Sequence, residues 1–260
     1  MLKRRAALLA GQTLVFAAFF GLWELAVRLL HTRPVILPAP SVIFAKIWEQ
    51  RELLLVNTWP TCVAITLGFA AAVLSGFILA VGISYSRAVR ELTYPFLVTA
   101  QVLPKVAFAP LFLIWFGFGL TPKVVIAALI AFFPIVINTA KGLTSVEPEL
   151  VQFMRSLGAS WREIFFKISL PWALPYIFAA FKISITLAIV GAVVGEFVAA
   201  GEGLGYVINS ANIALDTELM FAGILVLSLL GILMFLAVVL LEQLATGAWQ
   251  QDNDSLQATM

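Results

Sequence analysis

Residues 155–171 read RSLGASWREIFFKISLP and do not match their surroundings. Four charges, Arg155, Arg162, Glu163 and Lys167, are mixed with Trp161, Ile164, Phe165, Phe166 and Ile168. The chain around them is far more apolar. Of its 260 residues 62% are hydrophobic and 12% charged, with a mean hydropathy of +1.03. Soluble domains hold about half apolar and about a quarter charged residues. A water-soluble core does not hide this much apolar surface, so the solvent is lipid. The net charge of +2 gives no hint of a nucleic-acid partner. A charged, amphipathic interruption in such a chain needs a reason.

Spans of about 20 apolar residues cross a bilayer. Six stretches qualify: 7–30, 59–84, 94–118, 123–141, 172–199 and 219–241. None alternates with period two, which argues against a membrane barrel. Lys3, Arg4 and Arg5 precede the first run, but that run outlasts a signal-peptide core and carries no small-x-small cleavage site. It reads as a retained span. Lys and Arg then set the orientation. With a cytoplasmic N-terminus, nine fall inside: Lys3, Arg4, Arg5, Arg87, Arg90, Lys141, Arg155, Arg162 and Lys167. Five fall outside: Arg28, Arg33, Lys46, Arg51 and Lys123. The external loop 31–58 carries three prolines, then SVIFAKIWEQRELL at near-helical spacing, which predicts a short amphipathic surface helix. The polar tail QQDNDSLQATM is expected to be loose.

On this topology residues 142–171 form a cytoplasmic loop containing two short helices. Pro148 suits an early position in the first. Gly158 offers a left-handed turn. Ser160 and Glu163 form a capping-box pattern, and Pro171 closes the loop and starts the next span. Met154, Leu157, Trp161, Ile164, Phe165 and Ile168 fall mostly on one side. Such a face suits either the inner leaflet or a groove in a cytoplasmic partner.

Gly158, nine residues, then Ile168-Ser169-Leu170-Pro171 resembles the second half of the "EAA" loop of permease subunits in binding-protein-dependent ABC importers. The Glu-Ala-Ala position holds Gln152-Phe153-Met154 instead. LPAPSVI (37–43), LPKVAFAPLFLIWFGFGLTPKVV (103–125), FFPIVINTAKGLTSVEPEL (132–150) and DTELMFAGILVLSLLG (216–231) are similar to the nitrate/taurine/sulfonate branch. The resemblance implies an all-α, polytopic bundle of six transmembrane helices with the type I importer fold, one permease domain over residues 1–260 of a bacterial inner membrane. It implies a second permease copy, usually identical, two cytoplasmic ATPase subunits, and a periplasmic or lipid-anchored binding protein. It places ATPase coupling on Gln152, Arg155, Leu157, Gly158, Ala159, Ser160, Trp161, Glu163, Ile168, Leu170 and Pro171. The implied cargo is a small organic anion such as an aliphatic sulfonate. WFGFGLTPK (115–123) is also similar to permeases for pyrimidine vitamin precursors, riboflavin or aromatic acids. The chain has no G-x-x-x-x-G-K-[ST] phosphate loop, so no cofactor is expected and ATP belongs to a partner.

Ionisable groups inside lipid are functional candidates by default. Lys105 follows Pro104 in the third span, with Pro110 beyond; a broken helix beside a cation makes a reasonable anion site. Asn138 lies near Pro134. Lys182 either faces the pathway or pairs with a carboxylate such as Glu24, and Glu196 either gates or caps. Glu24 and Arg28, four apart, are expected to neutralise each other. Pro104, Lys105, Asn138, Lys182 and Glu196 are therefore the candidate pathway residues. With one His and one Cys, neither a catalytic triad nor a metal site is credible. The chain is read as a transport subunit and not an enzyme. The rivals are an ATP-independent secondary transporter or channel, which predicts inverted repeats or a midplane acid, and a membrane scaffold.

Overall fold

A computed structural model describes residues 2–199 and 201–257, all of them helical or in connecting turns. The helices are α1 (Leu2–Leu29), α2 (Pro40–Glu49), α3 (Arg51–Tyr85), α4 (Arg87–Val102), α5 (Ala109–Phe116), α6 (Leu120–Leu143), α7 (Pro148–Ser156), α8 (Trp161–Ile164), α9 (Leu170–Ala199), α10 (Leu204–Ile213) and α11 (Thr217–Gln257). A 3-10 turn, Lys105–Phe108, precedes α5, and a π-turn, Phe165–Ser169, joins α8 to α9.

Among the described residues four helices are long and apolar enough to cross a membrane: Arg51–Tyr85, Leu120–Leu143, Trp161–Val198 and Thr217–Gly247. A bent pair, Arg87–Val102 with Lys105–Phe116, turned by 87°, passes the same test when its two pieces are taken together, which makes up to five candidate spans. The third span, expected over 94–118 with a break at its prolines, is two pieces and starts earlier, at Arg87. Pro104 lacks the N–H that would continue α4 and biases Leu103 to the extended backbone it adopts. The first expected span falls on α1. The predicted surface helix exists as α2, but Leu53 and Leu54 belong to α3, which starts earlier than expected. Most of the tail expected to be loose continues α11 as far as Gln257; residues 258–260 lie outside the described residues.

The chain forms two compact units. In the first (1–59 and 202–228), polar bonds join segments distant in sequence. Glu24 pairs with Arg28 at 2.6 Å and also accepts from Ser41 at the start of α2. Lys46 meets Asp216 at 3.1 Å, and that bond holds its ammonium above the usual lysine range. Thr217 Oγ1 donates to the Val35 carbonyl at 2.7 Å. The amide of Gly203, whose φ of +111° favours glycine, donates to Asn57 Oδ1 at 2.8 Å.

The second unit (60–201 and 229–260) is built on small residues. Its core contains Ala64, Ala72, Ala127, Ala131, Ala188 and Ala192. Three helices cross at Ala127 of α6. A Cβ on Gly68 of α3 would sit 2.5 Å from the Ala127 methyl, and one on Gly191 of α9 would sit 2.6 Å from the Ala127 Cα. In lipid, backbones associate by this close approach, since apolar burial alone gives no preference over lipid tails. Ser184 Oγ donates across the same contact to the Ala131 carbonyl at 2.9 Å.

Candidate functional site

The loop 142–171 holds the two helices expected of it. Pro148 opens α7. The chain then leaves α7 through a Schellman turn: Gly158 has φ +80°, its amide donates to the Arg155 carbonyl at 3.0 Å, and the Ala159 amide donates to the Met154 carbonyl at 3.1 Å. Ser160 caps α8 in a full capping box. The Glu163 amide donates to Ser160 Oγ at 3.3 Å, and the Ser160 amide donates to Glu163 Oε2 at 2.9 Å. The Ser160 backbone and hydroxyl donors, and then Lys167, hold the Glu163 carboxyl below the usual carboxylate range.

Two expectations are corrected here. Pro171 does not start a new helix, because α8 passes through the π-turn directly into α9. Pro171 offers no N–H to the Lys167 carbonyl, so the register slips there and the Leu170 amide bonds back to Phe165. The apolar face also divides. Ile164 and Phe165 are buried, and Phe165 packs with Leu143, Ala173 and Ile177. Phe153, Leu157, Trp161 and Phe166 stand out, each about 60% exposed. Tyr85, the last residue of α3, joins the two groups, with its ring edge-on to Trp161 at 6.5 Å and to Phe165 at 5.8 Å. Of the coupling candidates, Gln152, Arg155, Leu157, Gly158, Ser160, Trp161 and Glu163 are exposed; Ala159, Ile168 and Leu170 are half-buried.

Within the second unit the 87° bend sets Lys105 and Asn138 on one cavity of about 460 Å³. Gln101, Phe133, Pro134 and Ile137 share its walls, and no acidic residue lines it. Lys105 Nζ donates to the Gln101 carbonyl at 3.0 Å and stands 4.6 Å from the Phe133 ring centroid. An ammonium has three N–H groups, so two remain for a bound group. Asn138 Nδ2 donates to the Pro134 carbonyl at 2.9 Å. Pro104 shapes the bend without lining the cavity.

Lys182 and Glu196 are placed elsewhere. The partner of Lys182 is Glu242 of α11 at 2.9 Å, not Glu24. Glu196 is 1% exposed and accepts from Thr61 Oγ1 at 2.7 Å. Lys123, counted among external loop charges, is completely buried in the first turn of α6, where Gly195 of α9 packs against its backbone. Sequence reasoning missed Gln101 and Phe133. It also missed the Gly191–Gly195 pair, although two glycines four apart in an apolar run are a readable packing signal.

Residues 63–246 match the family described as binding-protein-dependent transport system inner membrane component. The formylaminopyrimidine transport permease protein ThiX of Halalkalibacterium halodurans is 35% identical over 89% of this chain and 93% of its own. The riboflavin transport system permease protein RibX of Chloroflexus aurantiacus is 37% identical over 85% and 84%. The putative aliphatic sulfonates transport permease protein SsuC of Bacillus subtilis is 31% identical over 87% and 83%. A chain of the MetNI methionine ABC transporter shares the fold, with a TM-score of 0.67 at 20% identity, covering 76% of this chain and 98% of that one. The chain is a multi-pass inner-membrane permease subunit, with ATP hydrolysis left to a separate subunit, and it belongs to the family of binding-protein-dependent transport system inner membrane components.

Proposed function

We propose that this permease carries a small organic anion, of the sulfonate type, along the cavity that Lys105 overlooks. The observation that carries the reading is an ammonium with spare donors beside a cavity that no carboxylate lines. The Phe133 ring favours a second reading, a flat heteroaromatic solute, as does the identity to permeases named for formylaminopyrimidine and riboflavin.

The chain crosses the membrane six times in this proposal, by α1, α3, the α4–α5 pair, α6, α9 and α11, with its N-terminus in the cytoplasm. Burial of Lys123 supports that orientation, since it removes one of the five external charges and leaves nine against four. Two copies form the pathway, and two ATPase subunits grip loop 142–171 through Phe153, Leu157, Trp161 and Phe166. ATP binding draws the loops together and opens the pathway outward; hydrolysis resets it.

The test is uptake by the whole reconstituted transporter, offered taurine or a formylaminopyrimidine. Lys105→Ala is expected to cut taurine uptake at least tenfold while the ATPase still copurifies. Unchanged uptake overturns the role of Lys105. Transport of the pyrimidine alone selects the heteroaromatic reading.

A further inference from the structure

Next to the Lys105 cavity lies a second one of about 410 Å³, walled mainly by α4 and α6 with Ile83 of α3. Arg90, Tyr94 and Leu97 of α4 line it, opposite Ile137 and Lys141 of α6 and Thr144, which caps that helix. Ile137 is a wall of both cavities. On α4 the lining positions Arg90, Tyr94, Leu97 and Gln101 recur at helical spacing, so they form one stripe. The two cavities are thus successive stretches of a single groove. Arg90 and Gln101 are separated by about 16 Å of helix rise, which is too far for one small solute to occupy both.

The second cavity carries two cations, Arg90 and Lys141, both exposed at its walls. Arg90 is fixed by two carbonyls at the end of α3: Nε donates to Ile83 at 3.1 Å and Nη2 to Ser84 at 3.3 Å. Helix-end carbonyls lack intrahelical donors, so the guanidinium caps them and keeps three N–H groups in hand. Lys141 has no ion-pair partner among the described residues, and no carboxylate lines the cavity. Two cations thus share a partly apolar recess with no counter-charge, an arrangement that an anion relieves. Thr144 lines both this cavity and the recess under Trp161 and Arg155, which puts the site at the coupling-loop end of the groove.

We infer that this cavity is a second anion site, taking a carboxylate, sulfonate or phosphate group between Arg90 and Lys141. The inference goes beyond the Lys105 reading and does not depend on it. The anionic group comes either from a solute moving along the groove or from the headgroup of an acidic phospholipid between α4 and α6. Both sources present the same chemistry.

The transporter with its ATPase and binding protein is reconstituted in nanodiscs of phosphatidylcholine alone, and lysine modification by an amine reagent is read by peptide mass spectrometry. Millimolar methanesulfonate, or replacement of a third of the lipid by phosphatidylglycerol, is expected to lower Lys141 labelling at least fivefold. Protection by methanesulfonate in phosphatidylcholine supports the site with a solute as its source. Protection only with phosphatidylglycerol supports it with a headgroup as its source. Equal labelling under all three conditions overturns the site, and protection that persists in Arg90→Gln overturns the two-cation arrangement. Lys105 labelling in the same digest reports the other cavity separately, so the two readings fail independently.

Discussion

At Gly158 a single backbone angle decides the shape of the loop 142–171. A Cβ there would meet nothing within 4 Å, so the penalty of a side chain is purely that of φ +80°. Gly158→Ala is expected to cost about 1 kcal/mol, read as a roughly fivefold weaker hold on the ATPase. Gly158→Asn should recover part of it, because asparagine tolerates the left-handed region. Equal behaviour of the two variants contradicts the turn. Glu163 provides a pH test. Its carboxyl is held low by Ser160 and Lys167, so its contribution to the cap is complete above the usual value of 4.5 and lost as pH falls through the lowered value. Hydrogen exchange at the Ser160–Glu163 amides should therefore accelerate on acidification beyond that of Glu163→Gln, which still caps but does not titrate. Both residues were legible in the sequence because turn and cap chemistry is local. The partner of Lys182 was not, because Glu242 lies 60 residues away and only packing brings it within 2.9 Å. The burial of Lys123 was equally hidden, since its position near a span end reads as a loop charge.

Among the helices, the decisive contacts are those where side chains are missing. Gly68, Ala127 and Gly191 let α3, α6 and α9 approach to backbone distance. Gly191→Ala places a methyl 2.6 Å from the Ala127 Cα, and the helices must part to admit it. A loss of about 1–3 kcal/mol is expected, seen as a lower thermal midpoint in detergent. Gly21→Ala serves as the control, because nothing lies within 4 Å of a Cβ there. Matching midpoints would remove the three-helix cross as a source of stability. Hydropathy marked the existence of α3, α6, α9 and α11 well, because span length follows from bilayer thickness. It does not report direction. Pro104 and Pro110 signalled a break in the third span, whereas the 87° turn arises from how α5 packs against α6 and α9. The cavity at Lys105 depends on that turn, so its residues were individually visible but not as a lined space.

At the scale of the whole transporter, the question is how a push on the loop enters the membrane. Two routes leave α8. One is covalent: α8 continues through the π-turn into α9 without a loop to absorb motion. The other runs through Tyr85, whose ring touches both exposed Trp161 and buried Phe165 at the end of α3. On the proposed docking of the ATPase, contact and transmission fall on different atoms. Trp161→Ala removes part of the exposed face, and the ATPase should be lost on copurification. Tyr85→Ala leaves Phe153, Leu157 and Phe166 in place, so the ATPase should remain bound and hydrolyse ATP. Its motion would then reach α9 but not α3, and the bundle would rock incompletely. The expected outcome is uptake per ATP lowered several-fold, with little change in ATPase retention. Tyr85→Phe keeps the ring contacts and should behave as the original chain. Loss of ATPase binding in Tyr85→Ala would assign Tyr85 to the docking face instead. Uptake per ATP unchanged in that variant would leave α9 as the sole lever.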